Sequence, residues 1–506
     1  MDLDAESNTE SDTDTIKSRN ESCSEEEIPD ISETMNERDS PTNSETVTEL
    51  IGERRLTRQI AGKQNIDVEV MVPSSKRSSS VKDYLRDPQW RLHKKHIFIL
   101  TRTGKPVYTL HGNEENLSSI FQLIHNLINL TRSRQDEIES IETNGKRFAF
   151  LMQPHLILAA ISKTSLSVQQ LRMQLSDIYY QVLSILSFCH TTNAYKRAKN
   201  YNFGRLLSGA ETLIHCLATA DYNDRVNKNI FTLLTNSIQV LPLQPSVRSS
   251  IGNIIKERCK EVKYLIFAIL TIDNELVTLI RRRKHSMNSA DFRLIFNFVE
   301  TLKLSEDRIE MRPLCLPRYG EGGGYLDAHI SLMSKSCPAC LIFLSLERDQ
   351  LKDLTAIAKS ISEQLETNQY LSAITGAVAK TKRPLLYPTA IGIPELRHFL
   401  YKPVCLQQLI CAEFSKPFNI LEKFRYLEDL YCKLFERLHN TYRPLKLVYE
   451  ANQSEIMFGW LSPEHELYAV FDASVEQSTV IQYVNKMVKW IQRHFDTLFI
   501  YQYETF

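Results

Sequence analysis

A recurring order of hydrophobic patterns constrains the fold of this chain more than any other feature. Residues 97–100 and 107–110 are two strand-like apolar runs joined by a turn at residues 103–106. Apolar residues then recur every three or four positions over residues 117–128, which predicts an amphipathic helix. Two more strand-like runs, residues 146–151 and 156–161, precede a second helical pattern at residues 168–185. This order predicts an α+β domain with helices on an antiparallel sheet.

The same order returns twice, although no sequence repeat accompanies it. In the second unit, strand-like residues 264–270 and 276–280 precede a helix that starts at Asp291, strands at 325–332 and 340–346, and a helix at 351–365. In the third unit, strands at 399–404 and 409–414 precede a helix at 424–438, strands at 445–449, 456–460 and 467–471, and a helix at 480–491. We therefore predict three consecutive domains at residues 91–247 (with extra helices), 255–372 and 390–506.

The amino-terminal part differs in composition from these units. A length of 506 residues suits about three domains of roughly 100–200 residues each. Residues 1–90 are rich in Ser, Thr, Asn and acidic residues, which predicts a disordered arm. Residues 1–50 contain 16 Asp and Glu against three Lys and Arg, a net charge of −13, so the rest of this neutral chain carries +13. An acidic arm on a basic body predicts either that the arm covers the basic surface of the same molecule or that this basic surface meets an anionic one.

Nothing in the sequence resembles an export or membrane-spanning segment. The first twenty residues are acidic and polar, unlike a secretory signal. The longest apolar run, residues 264–270, is far shorter than the roughly 18 residues that cross a bilayer. We therefore expect a soluble intracellular protein with reduced cysteines.

The candidate catalytic motifs are all incomplete. Cys337 and Cys340 form a CxxC pair, but the pair precedes a strand and has no second ligand pair, which favours structural thiols over a redox or zinc site. The glycine run at residues 321–324 lacks the Lys-Ser/Thr of a phosphate-binding loop. No nucleophile and base can be paired from the sequence. We expect no catalytic residue, metal or cofactor.

The densest basic run follows a predicted strand of the second unit. It consists of Arg281, Arg282, Arg283 and Lys284. Clustered Lys and Arg near an anionic membrane are worth about 1 kcal/mol each, so lipid headgroups are one interpretation, and a solvated strand end is the other. Nucleic acid is not expected, because no recognisable binding motif joins the basic stretches.

Four separate stretches, in one order along residues 90–506, carry a family resemblance. They are KHIFILTRTGKPVY at residues 95–108, NYNFGRLLSGAE at 200–211, RRKHSMNSADF at 282–292 and VNKMVKWI at 484–491. Together they resemble the Mon/SAND family of vacuolar fusion proteins. The resemblance implies three consecutive longin domains, in agreement with the recurring pattern.

The resemblance also implies a function. It suggests a subunit that pairs with a Ccz-type tri-longin protein to form a guanine nucleotide exchange factor for the late-endosomal or vacuolar Rab GTPase. Such a pair would drive early-to-late endosome conversion, vacuole or lysosome fusion, and autophagosome–lysosome fusion. It would act from the cytoplasm, recruited to membranes that carry phosphatidylinositol 3-phosphate and the early-endosomal Rab GTPase. The alternative is a non-catalytic membrane tether or trafficking adaptor, because a fold does not fix a function.

One stretch matching the family is the candidate interface for the GTPase or the partner subunit. It mixes aromatic, basic and apolar side chains, as interface centres do: Asn200, Tyr201, Phe203, Arg205, Leu206 and Leu207. The alternative is that Leu206 and Leu207 belong to the core and Asn200 caps a helix. Similarly, Lys105, Pro106, Val107 and Tyr108 either fix the edge of the hairpin for binding or form a structural turn.

Overall fold

The computed structural model describes residues 87–187, 191–193, 203–221, 229–302, 310–319, 324–347, 350–379, 384–440 and 442–506. The predicted acidic arm, residues 1–90, lies almost wholly outside them. The first domain starts with helix α1 (Pro88–Leu92), strands β1 (Lys95–Thr101) and β2 (Pro106–Thr109), and helix α2 (Ser118–Arg132). Strands β3 (Ser140–Thr143), β4 (Lys146–Met152) and β5 (Leu156–Ser162) and helix α3 (Val168–Leu186) complete the predicted order.

Both faces of the first sheet are buried at its strands β1 and β5, which explains why these two strands are so apolar. The five strands are ordered β2-β1-β5-β4-β3, and all their pairings are antiparallel. Side chains alternate across a strand, so Phe98 and Leu100 of β1 pack towards α2, while Ile97 and Ile99 pack towards α3. Helix α3 begins with a capping box, in which Ser167 and Gln170 bond each other's backbone N–H groups.

In the described part of the chain, short helices and a strand lie between the first domain and the second. They include α4 (Phe203–Leu206), α5 (Glu211–Ala218), α6 (Asn229–Thr235) and β6 (Ile238–Val240). The second domain then contains α7 (Pro245–Cys259), β7 (Leu265–Ile272), β8 (Glu275–Arg281), α8 (Ser289–Leu302), β9 (Glu310–Leu316), β10 (Gly324–Ser334), β11 (Cys337–Ser345), α9 (Leu351–Thr367) and α10 (Tyr370–Val378).

The third domain repeats the order once more. Its elements are β12 (Leu396–Pro403), β13 (Gln408–Cys411), α11 (Leu421–Leu438), β14 (Leu447–Ala451), β15 (Glu455–Leu461), β16 (His465–Asp472), α12 (Gln477–Arg493), α13 (Phe495–Leu498) and β17 (Glu504–Thr505). Helix α12 is strongly amphipathic: it buries Val480, Val484, Met487 and Ile491, and Val488 is partly buried beside them.

The second and third domains share one sheet of twelve strands. Strand β6 lies between β8 and β13 and pairs with both in parallel. The end of the chain returns to the second domain, where β17 pairs in parallel with Ile280 and Arg281 of β8, beyond the residues of β8 that pair with β6. The buried Gln408 amide binds the backbone N–H and C=O of Ile500 at 2.9 Å each, which holds this return segment in place. The two domains are therefore joined by backbone pairing as well as by side-chain packing.

The prediction of three α+β domains is confirmed, and the structure adds elements that the sequence did not reveal. Strand β3 is short and largely exposed, so it has no apolar run, while β6 has only three residues. Helix α7 starts at Pro245, whose missing N–H costs nothing in the first turn of a helix. The predicted limit at residue 247 thus falls inside a helix, and the domain limits stay predictions.

Candidate functional site

A groove of about 1090 Å³ opens beside strand β2 of the first domain. One wall is the hairpin segment from Lys105 to Tyr108, and the other is formed by Gly204, Arg205, Leu207 and Ser208. The structure therefore brings together two stretches that the sequence singled out about 100 positions apart. We call this feature the β2 groove.

The hairpin wall is held by a tight turn that needs glycine. Gly104 has a φ of +81°, in the left-handed region, and its N–H donates to the Thr101 carbonyl at 2.9 Å. The Lys105 N–H donates to the Thr101 hydroxyl at 3.0 Å, and the Thr101 N–H donates to the Lys105 carbonyl at 2.9 Å. A Cβ at Gly104 would lie 2.9 Å from the His125 ring. The structural-turn interpretation of this segment thus holds, and the turn also sets the edge of the groove.

The opposite wall is anchored in the core by two of the predicted interface residues. Phe203 is fully buried and Leu207 is 2% exposed, and both belong to the cluster around helix α3. Leu206 is half-buried against the same cluster, whereas Arg205 between these anchors is exposed. The hydrophobic members of the motif therefore hold the wall in place, and Arg205 is the described side chain that offers charge to a partner. Asn200 and Tyr201 lie outside the described residues.

Carboxylates dominate the charge of the β2 groove. Glu114 accepts the Thr109 N–H at 3.2 Å, and Glu211 accepts the Gly209 N–H at 2.8 Å. Glu115 is exposed, and its carboxylate makes no hydrogen bond or ion pair to a described residue. Three lining carboxylates thus stand against the cations of Lys105 and Arg205.

The edge of β2 differs from the corresponding edges of the other domains. Within the described part of the chain, no strand lies outside β2, whereas β8 and β13 are both covered by β6. One outward N–H of β2, that of Thr109, is already bound to Glu114, and Pro106 has none to offer. This edge is therefore suited to side-chain contacts in the groove rather than to the addition of a long strand.

The predicted basic run divides into structural and exposed members. Arg281 donates to the His285 carbonyl, and Arg282 donates to the carbonyls of Leu265 and Val262 at 2.7 Å each. Arg283 and Lys284 follow in an exposed turn. The first two arginines thus stabilise the turn, and the last two remain available at the surface.

A buried polar cluster around Lys95 was not foreseen from the sequence. The fully buried Lys95 ammonium donates to Asp221 and, at 2.8 Å, to Gln174. Burial lowers the pKa of Lys95, and Asp221 opposes that effect. Glu428 of the third domain lies near enough to raise the Lys95 pKa, and its own pKa is raised to about 8, mainly by burial. The partners are 79 to 333 positions from Lys95 in the sequence, so no local pattern could signal the cluster.

The CxxC cysteines lie at the start of β11 rather than before it, and both are buried. Burial raises the pKa of the Cys340 thiol to about 11, which keeps it protonated, the opposite of a redox-active cysteine. Among the described residues, no three His, Cys, Asp or Glu side chains are placed to hold a metal ion. No helix in the described ranges has both the length and the apolar character needed to cross a membrane.

Comparisons with known proteins agree with this architecture. Family models described as the first, second and third longin domains of FUZ, MON1 and HPS1 match residues 95–217, 263–363 and 395–495, respectively. Protein SAND of Takifugu rubripes is 31% identical over 451 residues, which cover 89% of this chain and 82% of that protein.

The chain belongs to the Mon/SAND family of vacuolar fusion proteins. Vacuolar fusion protein MON1 homolog A of Gallus gallus is 30% identical over 82% of this chain and 74% of its own length. The human MON1 homolog B is 29% identical over 82% and 77%, respectively. The family suggested by the four sequence stretches is confirmed, and with it the three longin domains. This Mon/SAND protein is therefore a trafficking protein whose candidate site lies on the first longin domain.

Proposed function

We propose that this Mon/SAND chain is one subunit of a guanine nucleotide exchange factor for the late-endosomal Rab GTPase, active only with a Ccz-type tri-longin partner. The β2 groove is the observation that carries the proposal, because it is a rigid-walled surface on the first domain with exposed charge at its rim. One wall is anchored in the core by Phe203 and Leu207 and the other is held by the turn at Gly104, so a partner would meet a preorganised surface.

The exchange needs no covalent chemistry. A GTPase holds its nucleotide through Mg²⁺ and ordered switch loops. A surface that binds the nucleotide-free GTPase more tightly than the loaded one weakens nucleotide binding by the same factor, because the coupling is reciprocal. The groove carboxylates support this role, since they would repel the phosphates and attract the P-loop lysine that the departing nucleotide leaves without a partner.

Membrane recruitment belongs to the same proposal. The complex would reach endosomal, lysosomal or vacuolar membranes through the early-endosomal Rab and anionic lipids such as phosphatidylinositol 3-phosphate. There it would promote endosome conversion, vacuole fusion and autophagosome–lysosome fusion. The exposed Arg283 and Lys284 supply cationic groups for such a membrane.

The test is release of labelled nucleotide from the late-endosomal Rab with this chain, the Ccz-type protein, or both. Fast release only with both proteins is expected. Glu115→Gln should slow release by about two- to fivefold, the size of an exposed charge contact, while Glu422→Gln on the third domain should leave it unchanged. No release by a folded, paired complex would refute exchange and leave the tether or adaptor as the function.

A further inference from the structure

Among the described residues, the two sheets end in the strands β2, β3, β9 and β14, and three of these edges are protected against pairing with another chain. Pro106 lies in β2 and Pro313 in β9, and proline offers no N–H to an added strand. Strand β3 is four residues long and carries the exposed Glu142. Natural proteins use proline, charge and short strands in this way to keep sheet edges from adding strands.

Strand β14 of the third domain lacks this protection. In the described part of the chain, β14 pairs with β15 alone. The Leu461 N–H donates to the Lys446 carbonyl at 2.7 Å, so the backbone groups of Lys446 face β15. Alternate residues of an antiparallel strand face alternate sides. The residues whose N–H and C=O groups point away from the sheet are therefore Leu447, Tyr449 and Ala451. We call residues 445–451 the β14 edge.

The β14 edge exposes apolar side chains. Leu445 is 45% exposed and Leu447 53%, and Tyr442, three residues before the edge, is 92% exposed. Side chains alternate across a strand, so Leu447 shares a face with Tyr449, which packs partly against the core of the third domain. An exposed apolar strand edge is typical of a strand that pairs with another chain.

The charges of the β14 edge are complementary to each other. Lys446 is exposed near its start. Glu450 lies near its end, where the carboxylate is held by Arg437 at 2.8 Å and the side chain is 32% exposed. If two copies pair in antiparallel fashion about a twofold axis at Val448, Lys446 of each copy stands opposite Glu450 of the other. Opposite charges across two strands stabilise their pairing.

The same axis also matches the backbones. It places Leu447 opposite Tyr449 of the second copy, and both residues point their N–H and C=O groups outward, so each such pair exchanges two hydrogen bonds. An axis at Lys446 or at Glu450 would place like charges opposite each other. An axis at Leu447 or at Tyr449 would leave both charges opposite uncharged residues. The axis at Val448 is therefore favoured.

We propose that two copies of this chain associate through their β14 edges, in an antiparallel strand pair centred on Val448. The pair extends the twelve-stranded sheet of one copy into that of the other. The proposal goes beyond the exchange activity and does not rest on it, because no residue that lines the β2 groove belongs to the third domain. An interface of two strands is small, so we expect a weak dimer, measured at protein concentrations of about 10–100 µM.

The charge register is tested by sedimentation equilibrium of the full chain. Lys446→Glu and Glu450→Lys each place like charges opposite each other in both halves of the pair. Each variant alone should weaken the dimer by about tenfold, since an exposed charge contact contributes about two- to fivefold and two contacts change. An equal mixture of the two variants restores opposite charges in both halves, so it should associate as the unchanged chain does.

The matched control is Lys489→Glu on helix α12 of the third domain, which reverses an exposed cation away from the β14 edge. It should leave the dimer unchanged. If the unchanged chain dimerises but the mixture of Lys446→Glu and Glu450→Lys stays monomeric, the register is refuted. A dimer that persists in both single variants would place the contact elsewhere and would also refute the proposal.

The backbone contribution is tested by Leu447→Pro. Proline removes an N–H that points away from β15, so the pairing with β15 stays intact while the added strand loses a donor. The variant should be monomeric with the circular dichroism spectrum of the unchanged chain, and undiminished association would overturn the strand pairing.

The measurements on the β14 edge are separable from those on the exchange reaction. Nucleotide release with the Ccz-type protein should be the same for Lys446→Glu as for the unchanged chain, so failure of exchange leaves the dimer result standing. An unchanged chain that remains monomeric at about 100 µM would refute the proposal and leave the β14 edge to an extended segment of a different protein.

Discussion

The buried pair of Lys95 and Asp221 gives the sharpest test of how the first domain is held together. The two side chains are 0% and 1% exposed, and Gln174 bonds the ammonium at 2.8 Å and the carboxylate at 3.1 Å. Removing one partner leaves a buried charge without its counter-charge, which costs about 3–5 kcal/mol. We therefore expect Asp221→Leu, and separately Lys95→Met, to lower the free energy of unfolding by that amount.

Replacing both partners should cost much less than either single change. The double variant removes both charges, and apolar side chains of similar size fill the space, so its cost should be within about 1–2 kcal/mol of zero. The coupling free energy of the double-mutant cycle is then several kcal/mol. Urea unfolding followed by circular dichroism measures all four proteins. Single changes that simply add up in the double variant would falsify the idea that Lys95 and Asp221 act as one unit.

Three further predictions test other parts of the structure. Burial raises the pKa of Glu428 from 4.5 to about 8, so between these pH values the folded state binds more protons than the unfolded state and the free energy of unfolding falls as pH rises. Glu428→Gln should remove about 3–5 kcal/mol of that fall, measured by urea unfolding across this pH range. The buried Arg248 donates to the carbonyls of Val277, Leu241 and Thr497 at 2.9–3.0 Å, so Arg248→Met should lower the free energy of unfolding by about 3–5 kcal/mol. A change under about 1 kcal/mol would contradict a role of Arg248 in joining the last two domains. Gly104→Ala should lower the free energy of unfolding by about 1–3 kcal/mol, because Gly104 has a positive φ and a Cβ there would press on the His125 ring. An unchanged melting temperature would show that the turn adjusts without strain.

The element order was predictable because each element carries its own period. The apolar runs of the first domain form strands with buried side chains, and helix α12 buries the side chains that recur every three or four positions. The turn before β2 was predictable too, because Gly104 permits a positive φ and Pro106 fixes its own φ. Strands β3 and β6 were missed since one is polar and the other has three residues, too short for a pattern.

The candidate site was only half predictable. The sequence marked residues 105–108 and 203–207 separately, and the structure places them on opposite walls of one groove. Exposure decided their roles, because Phe203 and Leu207 are buried whereas Arg205 is exposed. Likewise, four consecutive cations looked alike in the sequence, yet Arg281 and Arg282 bond to backbone carbonyls, whereas Arg283 and Lys284 are exposed and bond to no carbonyl of a described residue.

The sequence by itself determined three α+β domains, because hydrophobic periods and turn residues act over short stretches of the chain. Their longin type was implied by the resemblance of four stretches to the Mon/SAND family. Only the tertiary structure decided how the domains join. The pairing of β6 with β8 and β13, the return of β17 to the second domain, and the contact between Lys95 and Asp221 connect residues far apart in the chain. Such contacts depend on how whole elements pack, and no local pattern of residues specifies them.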